Sequence, residues 1–327
     1  MLKDSFNRIH DYLRISLTDK CNLHCSYCNP VTAALKHLPH AQLMTAPEIE
    51  TIASTFVKLG VKKIRLTGGE PLVRKDAAEI IRRLSEFPVE LAITTNGVFV
   101  HQFIDTFKQA SLQSVNVSLD SLNKEKCATV AGRNVFDRVW KNTCLLLDNG
   151  FHVKVNMVVM KGVNTDEILD FVELTRDLPL HIRFIEFMPF TGNRWDSRQV
   201  ISYKEILQII SEEYDFIKLK DELHDTSKKF MVPGFKGTFA VISTMSLPFC
   251  GDCNRLRLTA DGKMKNCLFS KSESDLLGAL RRGEDIEPVI RKCVWDKKEV
   301  QGGQILTAYK KLDGMELKNR SMIHIGG

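Results

Sequence analysis

The stretch Tyr12-Leu13-Arg14-Ile15-Ser16-Leu17 predicts a β-strand, and Cys21-Asn22-Leu23-His24-Cys25-Ser26-Tyr27-Cys28 follows it after three residues. We call the second stretch the first cysteine loop. Thiolates bind soft metals, and three thiols at this spacing favour an iron-sulfur cluster over a lone zinc ion, which takes four protein ligands. Three cysteines on a four-iron cluster leave one iron open to a small-molecule ligand. One alternative is a zinc knuckle completed by His24 or by a distant ligand. The other is that the three thiols are unrelated.

Composition limits the class of protein. The chain has 327 residues, of which 43% are hydrophobic, and this length suits one large domain with an extension or two domains. No stretch approaches the roughly 20 apolar residues of a membrane span, and residues 1–5 lack the apolar segment of a secretory signal. We therefore expect a cytoplasmic protein, in which clustered cysteines indicate metal binding or catalysis. The net charge of +6 is modest and alone does not decide between nucleic acid, a phosphorylated metabolite and no particular ligand. We expect neither nucleic acid nor a membrane as a partner.

Six β-branched, apolar runs alternate with amphipathic stretches between residues 11 and 187. The runs are Tyr12 to Leu17, Lys63 to Thr67, Val89 to Thr94, Ser114 to Leu119, Val153 to Val159 and Ile182 to Phe187. Such alternation predicts a parallel α/β sheet whose runs are buried on both faces. Six units that share one site favour an incomplete, TIM-like (βα)6 barrel over an open sheet.

Beyond residue 217 the pattern changes to short alternating runs. These indicate a C-terminal extension of antiparallel strands. We therefore divide the chain into a partial barrel, residues 1–217, and a cluster-binding and substrate-binding region, residues 218–327.

The ends of the strands carry polar and basic residues. Gly68-Gly69-Glu70-Pro71 follows the second run, and its glycines allow backbone to approach a ligand closely. Thr94 ends the third run and Ser118 lies in the fourth, where both side chains suit a ribose or base, or simply a helix cap. The converging strands also carry four basic residues, which indicate a polyphosphate ligand: Lys63, Arg65, Lys154 and Arg183.

A second cysteine group consists of Cys250, Cys253 and Cys267, with Cys-x2-Cys and a third cysteine fourteen residues further on. No fourth cysteine or histidine follows closely, so we favour a second four-iron cluster over zinc held with a distant ligand such as His324. Arg255 and Arg257 share one face of the strand between these cysteines, which suits a phosphate or the edge of a purine.

Cys-x3-Cys-x2-Cys after a strand, together with Gly-Gly-Glu-Pro, resembles the radical S-adenosylmethionine superfamily. This resemblance implies that the first cluster binds S-adenosylmethionine and cleaves it reductively to a 5′-deoxyadenosyl radical. Four residues match superfamily positions associated with S-adenosylmethionine, namely Tyr27, Gly69, Ser118 and Met188.

Further motifs resemble one family within it, the GTP 3′,8-cyclases of molybdenum-cofactor biosynthesis. The motifs are residues 11–21, Val130-Ala131-Gly132-Arg133, residues 253–262 and the terminal Gly326-Gly327. The resemblance implies a lyase with two 4Fe-4S clusters that converts GTP to 3′,8-cyclo-7,8-dihydro-GTP. It also implies that GTP binds at Arg14, Lys63, Arg65, Thr94, Lys154, Arg183, Arg255 and Arg257, and that Arg14, Arg255, Arg257, Gly326 and Gly327 are needed for catalysis.

The same resemblance implies partners. A downstream cyclic pyranopterin monophosphate synthase would receive the product, a flavodoxin or ferredoxin would supply electrons, and a homodimer is one option for the assembly. Two other functions stay open at this point. One is a two-cluster radical enzyme that modifies a peptide, and the other is an electron-transfer or cluster-scaffold protein.

Overall fold

The structure is a computed structural model that describes residues 1–29, 37–305 and 308–327. Its strands are β1 Tyr12–Ser16, β2 Lys63–Thr67, β3 Glu90–Thr95, β4 Ser114–Ser118, β5 His152–Val159, β6 His181–Glu186, β7 Ile217–Lys218, β8 Lys228–Met231, β9 Thr238–Ile242, β10 Arg255–Leu258, β11 Lys263–Lys265 and β12 Ser274–Asp275. Its α-helices are α1 Ala46–Lys58, α2 Ala77–Ser85, α3 Ile104–Gln109, α4 Lys124–Ala131, α5 Phe136–Asp148, α6 Ile168–Asp177, α7 Tyr203–Ser211, α8 Leu276–Arg281, α9 Glu287–Trp295 and α10 Met322–Ile325.

Strands β1 to β6 form the predicted parallel core. Each pairs in parallel with the next in chain order, and helices occupy the connections between them. Among the described residues the sheet has twelve strands, in the order β12-β11-β10-β1-β2-β3-β4-β5-β6-β9-β8-β7. The predicted (βα)6 partial barrel with a C-terminal extension is thus confirmed. None of the described helices is both long and apolar enough to cross a bilayer.

The six strands are largely buried, as the prediction of runs buried on both faces requires, but their two faces differ in polarity. Leu13 and Ile15 of β1 and Val115 and Val117 of β4 are fully buried under the helices, in one large apolar core. The side chains that alternate with them are mostly polar or charged, and many of these line a cavity, among them Arg14, Arg65, Asn116, Lys154 and Arg183. Successive residues of a strand point to opposite faces. Each run therefore alternates between the helix-facing side and the cavity-facing side of the sheet.

The C-terminal strands extend the core sheet at both edges. Strand β10 pairs in parallel with β1, and β9 pairs in parallel with β6. The antiparallel pairs predicted for this region are present further out, between β8 and β9 and between β10 and β11. The expectation of an entirely antiparallel extension is therefore corrected for β9 and β10. The domain boundary after residue 217 stays a prediction.

Local signals explain why particular elements start and stop. Helix α1 begins with a capping box in which Thr45 accepts from the Glu48 amide and the Glu48 carboxylate accepts from the Thr45 amide at 2.7 Å. The hairpin from β10 to β11 turns at Gly262, whose φ of +66° is the left-handed conformation that glycine adopts without strain. This turn returns the chain toward the start of β10, as the sequence predicts.

Candidate active site

One cavity of about 640 Å³ brings together both groups of cysteines and nearly all the predicted binding residues. The residues that line it include Cys21, Cys25, Cys28, Cys250, Cys253, Cys267, Arg14, Tyr27, Lys63, Arg65, Gly69, Thr94, Ser118, Lys154, Arg183, Met188, Arg255, Arg257 and Gly327. Gly326 contacts the same cavity through its carbonyl oxygen, which accepts from Arg257 at 2.5 Å.

The two groups of cysteines lie at opposite ends of one pair of strands. The first cysteine loop follows the carboxyl end of β1, whereas Cys250 and Cys253 precede the amino end of β10, its parallel neighbour. Cys267 follows β11, which runs antiparallel to β10 and so returns to the same end. At about 3.3 Å per residue, the strand pair separates the two ends by roughly 15 Å. A ligand of nucleotide size can therefore span the two groups.

Glycines allow the first cysteine loop to pack directly on the end of β2. The Gly69 amide donates to the Thr18 carbonyl at 2.7 Å, and the Glu70 amide donates to the Lys20 carbonyl at 2.8 Å. A side-chain carbon on Gly69 would lie only 2.4 Å from the Lys20 carbonyl oxygen. Any larger residue would push away the backbone that leads into Cys21.

Glu70 is buried beneath this contact and ties two strand ends together. Its carboxylate accepts from the Leu72 amide at 3.0 Å, the Thr95 hydroxyl at 2.8 Å and the Asn96 amide at 2.6 Å. Burial raises the pKa of Glu70 to about 7, although these donors oppose the shift. The Asn96 side chain in turn donates to Asn22 Oδ1 at 2.8 Å, so Glu70 supports the cysteine loop through Asn96.

The three thiols of the first cysteine loop suit a cluster. Burial raises the pKa of Cys21 to about 11 and that of Cys28 to about 12, so a bound metal must supply the positive charge that stabilises thiolates here. The described residues contain no group of three His, Cys, Asp or Glu side chains arranged around a single ion. A four-iron cluster has a different requirement, since each cysteine binds a different iron.

Tyr27 has a fixed orientation in the cavity wall. Its hydroxyl donates to the Asp120 carboxylate at 2.8 Å, and the other Asp120 oxygen accepts from the Val158 amide at 2.8 Å. Burial raises the pKa of Asp120 to about 6. The ring of Tyr27 is thereby held beside the first cysteine loop.

Eight of the described lysines and arginines line the cavity. One of them, Lys229, lies 2.7 Å from Asp225, which also lines it. The other seven we call the basic group: Arg14, Lys63, Arg65, Lys154, Arg183, Arg255 and Arg257. Strand register brings several of them side by side, since Arg14 pairs with Arg65 of β2 on one side and with Arg257 of β10 on the other. Within the described part of the chain, one carboxylate forms an ion pair with this group, and it is Glu90, 2.6 Å from Lys63. This excess of positive charge needs an anionic ligand.

The basic group shifts the pKa values of Lys154, one of its members, and of the neighbouring Tyr12. Burial, reinforced by Arg183 and Arg65, lowers the pKa of Lys154 to about 8. Burial raises the pKa of Tyr12, but Arg65 and Arg14 outweigh it and lower that pKa to about 7. The Tyr12 hydroxyl accepts from Arg65 Nε at 2.5 Å. Ionisable groups shifted in this way are typical of binding and catalytic sites.

Buried polar atoms without partners point into the cavity. Thr94 Oγ1, Asn116 Oδ1 and Arg14 Nε have no hydrogen-bond partner among the described residues, and all three side chains line the cavity. A buried polar atom costs free energy unless it is paired. These atoms are therefore placed to bind a polar ligand.

The second cysteine group is surrounded by donors. Lys297 Nζ lies 3.4 Å from Cys253 Sγ, and the Gln301 amide donates to Cys250 Sγ at 3.4 Å. Burial raises the pKa of Cys253, but Arg255 and Lys297 outweigh it and lower that pKa to about 6. A thiolate already favoured near neutral pH fits the ligand chemistry of an iron-sulfur cluster.

The C-terminal segment reaches into the cavity from α10. Arg14 donates to the Gly327 carbonyl oxygen at 2.6 Å, and Arg257 binds that of Gly326. A side-chain carbon on Gly326 would lie 2.8 Å from both Ser16 Cβ and Thr67 Oγ1. Gly326 thus fits a space that a larger residue would overfill.

Two candidate zinc ligands lie elsewhere. His324 Nδ1 lies 2.8 Å from the Ser321 hydroxyl, and His324 Nε2 lies 3.8 Å from Asp19 Oδ2. His24 is exposed and does not line the cavity. The alternative zinc sites built on these histidines are not formed in the described part of the chain.

Sequence reasoning missed several residues of the site. Tyr12 and Asn156 line the cavity, and Asn156 Oδ1 accepts from Arg183 Nε at 2.8 Å. Each occupies a strand position facing the cavity, so the period of two could have found them. Lys297 reaches Cys253 only through the tertiary fold, and no sequence signal marks it.

Two family descriptions match consecutive parts of the chain. Residues 15–175 match the radical SAM superfamily. Residues 180–302 match the family described as molybdenum cofactor synthesis C.

Full-length relatives carry related names. GTP 3′,8-cyclase, mitochondrial, of Arabidopsis thaliana is 45% identical over 100% of this chain and 84% of its own length. GTP 3′,8-cyclase of Aquifex aeolicus is 43% identical over 91% of this chain and 93% of its own length. Molybdenum cofactor biosynthesis protein 1 of mouse is 46% identical, and the chain spans 51% of that protein's length. The chain likewise spans about half of several other curated relatives.

Solved structures agree on the fold. SuiB of Streptococcus suis gives a TM-score of 0.63 at 15% identity and covers 92% of this chain and 69% of its own. At that identity the likeness concerns the fold alone. The full-length relatives decide the family, and the chain belongs to the GTP 3′,8-cyclase family of the radical S-adenosylmethionine superfamily.

Proposed function

We propose that this protein is a radical S-adenosylmethionine lyase that converts GTP to 3′,8-cyclo-7,8-dihydro-GTP, the first step of molybdenum-cofactor biosynthesis. The reaction removes the ribose C3′ hydrogen and joins C3′ to guanine C8. The observation that carries the proposal is the single cavity with a group of cysteines at each end and the basic group between them. The family names support the same reaction. A peptide-modifying enzyme is less supported, because a peptide does not require this excess of positive charge.

The first cysteine loop would hold the 4Fe-4S cluster that membership of the superfamily implies. Bound there with S-adenosylmethionine, the cluster supplies the 5′-deoxyadenosyl radical. Tyr27, Ser118 and Met188 would line the S-adenosylmethionine site, together with the backbone at Gly69. The bond from Tyr27 to Asp120 keeps the aromatic ring in place for the adenine.

The second cysteine group would hold a second 4Fe-4S cluster. Its support is the donor set around Cys250 and Cys253, which favours thiolates. Arg255 and Arg257 lie beside it on β10 and would bind the purine end of GTP.

Four other cations of the basic group would bind the triphosphate. Lys63, Arg65, Lys154 and Arg183 converge from β2, β5 and β6, and guanidinium groups bind phosphate oxygens in pairs. The unpartnered oxygens of Thr94 and Asn116 would bind ribose hydroxyls. Gly326 and Gly327, held by Arg257 and Arg14, would close the cavity beside the reacting sugar.

Partners and compartment follow from this chemistry. A one-electron donor such as flavodoxin or ferredoxin would reduce the protein, and a cyclic pyranopterin monophosphate synthase would take the product. A homodimer stays a proposal. We place the protein in the cytoplasm because its thiols must remain reduced; the Arabidopsis relative is named as mitochondrial.

The test is anaerobic reconstitution with iron and sulfide, followed by dithionite, S-adenosylmethionine and GTP. We expect about eight irons per chain, as two four-iron clusters require, with 5′-deoxyadenosine and a cyclised nucleotide as products. Cys21→Ala should abolish cleavage of S-adenosylmethionine, whereas Cys267→Ala should preserve cleavage and lose conversion of GTP. Equal loss of cleavage in both variants, or cleavage without any dependence on GTP, would contradict the proposal.

A further inference from the structure

We infer that Lys297 compensates charge at the iron-sulfur cluster of the second cysteine group and raises the reduction potential of that cluster. The inference rests on the second cluster of the proposed function. It assigns a role to a residue that lies outside the substrate cavity.

Lys297 is a buried ammonium with an unusual set of neighbours. Lys297 is only 3% exposed. Its Nζ lies 3.4 Å from Cys253 Sγ and 3.1 Å from the Arg255 carbonyl oxygen. Among the described residues no carboxylate forms an ion pair with it. A buried charge requires a partner, and the thiolate of Cys253 is the anionic group within reach.

Lys297 belongs to a short segment that supplies two donors to two cysteines. The Gln301 amide, four residues further along, donates to Cys250 Sγ at 3.4 Å. The Gln301 side chain is fixed by a 2.7 Å bond to the Thr244 carbonyl oxygen. Residues 297–301 therefore form a strap of donors along the second cysteine group.

Arg8 holds this strap in position from the N-terminal hairpin. Its guanidinium donates to the carbonyl oxygens of Lys298 at 2.9 Å and Glu299 at 2.6 Å, and also to that of Cys250 at 2.8 Å. Arg8 is itself fixed by Asp4, 2.7 Å away. One buried guanidinium thus sets the distance between the strap and the cysteines.

The first cysteine loop lacks an equivalent cation. Among the described residues, its Cys21 thiol has three donors: the Leu23 amide at 3.4 Å, the Asn96 side chain at 3.8 Å and the Asn22 amide. All three donors are neutral. Net charge and hydrogen bonds to the sulfurs set the potential of an iron-sulfur cluster. The reduced cluster carries more negative charge than the oxidised one, so an adjacent ammonium favours reduction.

The test measures the second cluster by itself. The full-length chain with Cys21, Cys25 and Cys28 all replaced by alanine is reconstituted, its iron is counted, and its cluster is followed by electron paramagnetic resonance during a redox titration. In this background Lys297→Met should shift the midpoint potential to a more negative value and speed the loss of iron to a chelator. Lys297→Arg, which keeps the charge, should retain most of the parent potential.

Lys298→Met is the matched control. It removes the same charge one residue further along, from an exposed side chain, and should leave the midpoint potential unchanged.

The possible results separate this inference from the proposed function. If Lys297→Met keeps its full iron content and the midpoint potential of the parent variant, the inference about Lys297 is overturned. The proposed function is not affected by that result. Equal loss of iron from Lys297→Met and Lys297→Arg would show a purely structural residue and also overturn the inference. If the parent triple variant binds no iron at all, the second cluster of the proposed function fails, and the inference fails with it.

Discussion

At the scale of single residues, Lys154 links the electrostatics of the cavity to pH. Its pKa is lowered to about 8 by burial, with Arg183 and Arg65 adding to the shift. If Lys154 binds the triphosphate, the affinity for GTP should fall as pH rises through about 8, by at most about tenfold per pH unit for one proton. Equilibrium binding of GTP to the metal-free protein measures this directly.

Lys154→Arg is the control for that titration, because a guanidinium stays charged as the pH rises through about 8. The affinity of this variant for GTP should therefore not fall in that range. If the affinity of the unsubstituted protein for GTP does not change with pH, the role of Lys154 is contradicted.

The free energy of unfolding should show the opposite trend with pH. The folded state binds fewer protons than the unfolded state between about 8 and the ordinary value of 10.5, so stability attributable to Lys154 rises with pH in that window.

Gly69 gives a second prediction at this scale. A methyl group there would lie 2.4 Å from the Lys20 carbonyl oxygen, so Gly69→Ala should destabilise the fold by about 1–3 kcal/mol and loosen the first cysteine loop. Denaturant unfolding and iron content report both effects.

Gly251→Ala serves as the comparison, since Gly251 lies between two cysteines of the second group and has nothing within 4 Å of the added carbon. It should be tolerated. If both variants bind iron equally well, the close approach at Gly69 does not determine the conformation of the first cysteine loop.

At the scale of elements, the short helix α10 delivers the two terminal glycines. Gly326 has φ of +88°, and an added carbon would lie 2.8 Å from Ser16 Cβ and Thr67 Oγ1. Gly326→Ala should therefore displace the segment from Arg257 and reduce kcat by up to about 10²-fold, the effect of a small misplacement at a reacting centre.

Gly327→Ala should have a milder effect on kcat, because the added carbon would meet only the flexible Met322 Cε, at 3.4 Å. Both rates come from the same assay of GTP conversion. A larger loss in Gly327→Ala than in Gly326→Ala would contradict this ranking.

The elements also show what could be predicted from the sequence. Strands β1 to β6 were predictable because each carries a local β-branched run, and α1 because its capping box is a local signal. The binding residues on these strands follow once the strands are known. The parallel pairing of β10 with β1 and of β9 with β6 was not predictable, because it joins segments far apart in sequence. Lys297 and Arg8 depend on such distant contacts, which explains why their roles emerged only from the structure.

At the scale of the whole molecule, the C-terminal strands protect the core sheet. The outer edge of β1 is covered by β10 and that of β6 by β9. A chain truncated after residue 217 would expose both edges, and exposed edges pair with other chains. We expect residues 1–217 alone to aggregate, as measured by size-exclusion chromatography, whereas the full chain should remain dispersed. A folded, monomeric fragment would instead support an independent domain that ends at residue 217.

The pairing of β1 with β10 also has a consequence for biosynthesis. About 240 residues separate the two strands in the sequence, and a ribosome adds roughly 5–20 residues per second. For many seconds the nascent chain therefore presents β1 and three reduced thiols without the neighbour that completes the sheet. Insertion of iron and sulfide at the first cysteine loop must either wait for β10 or be guarded by other factors during that interval. The order of translation thus separates in time two groups of cysteines that the folded protein joins in one cavity.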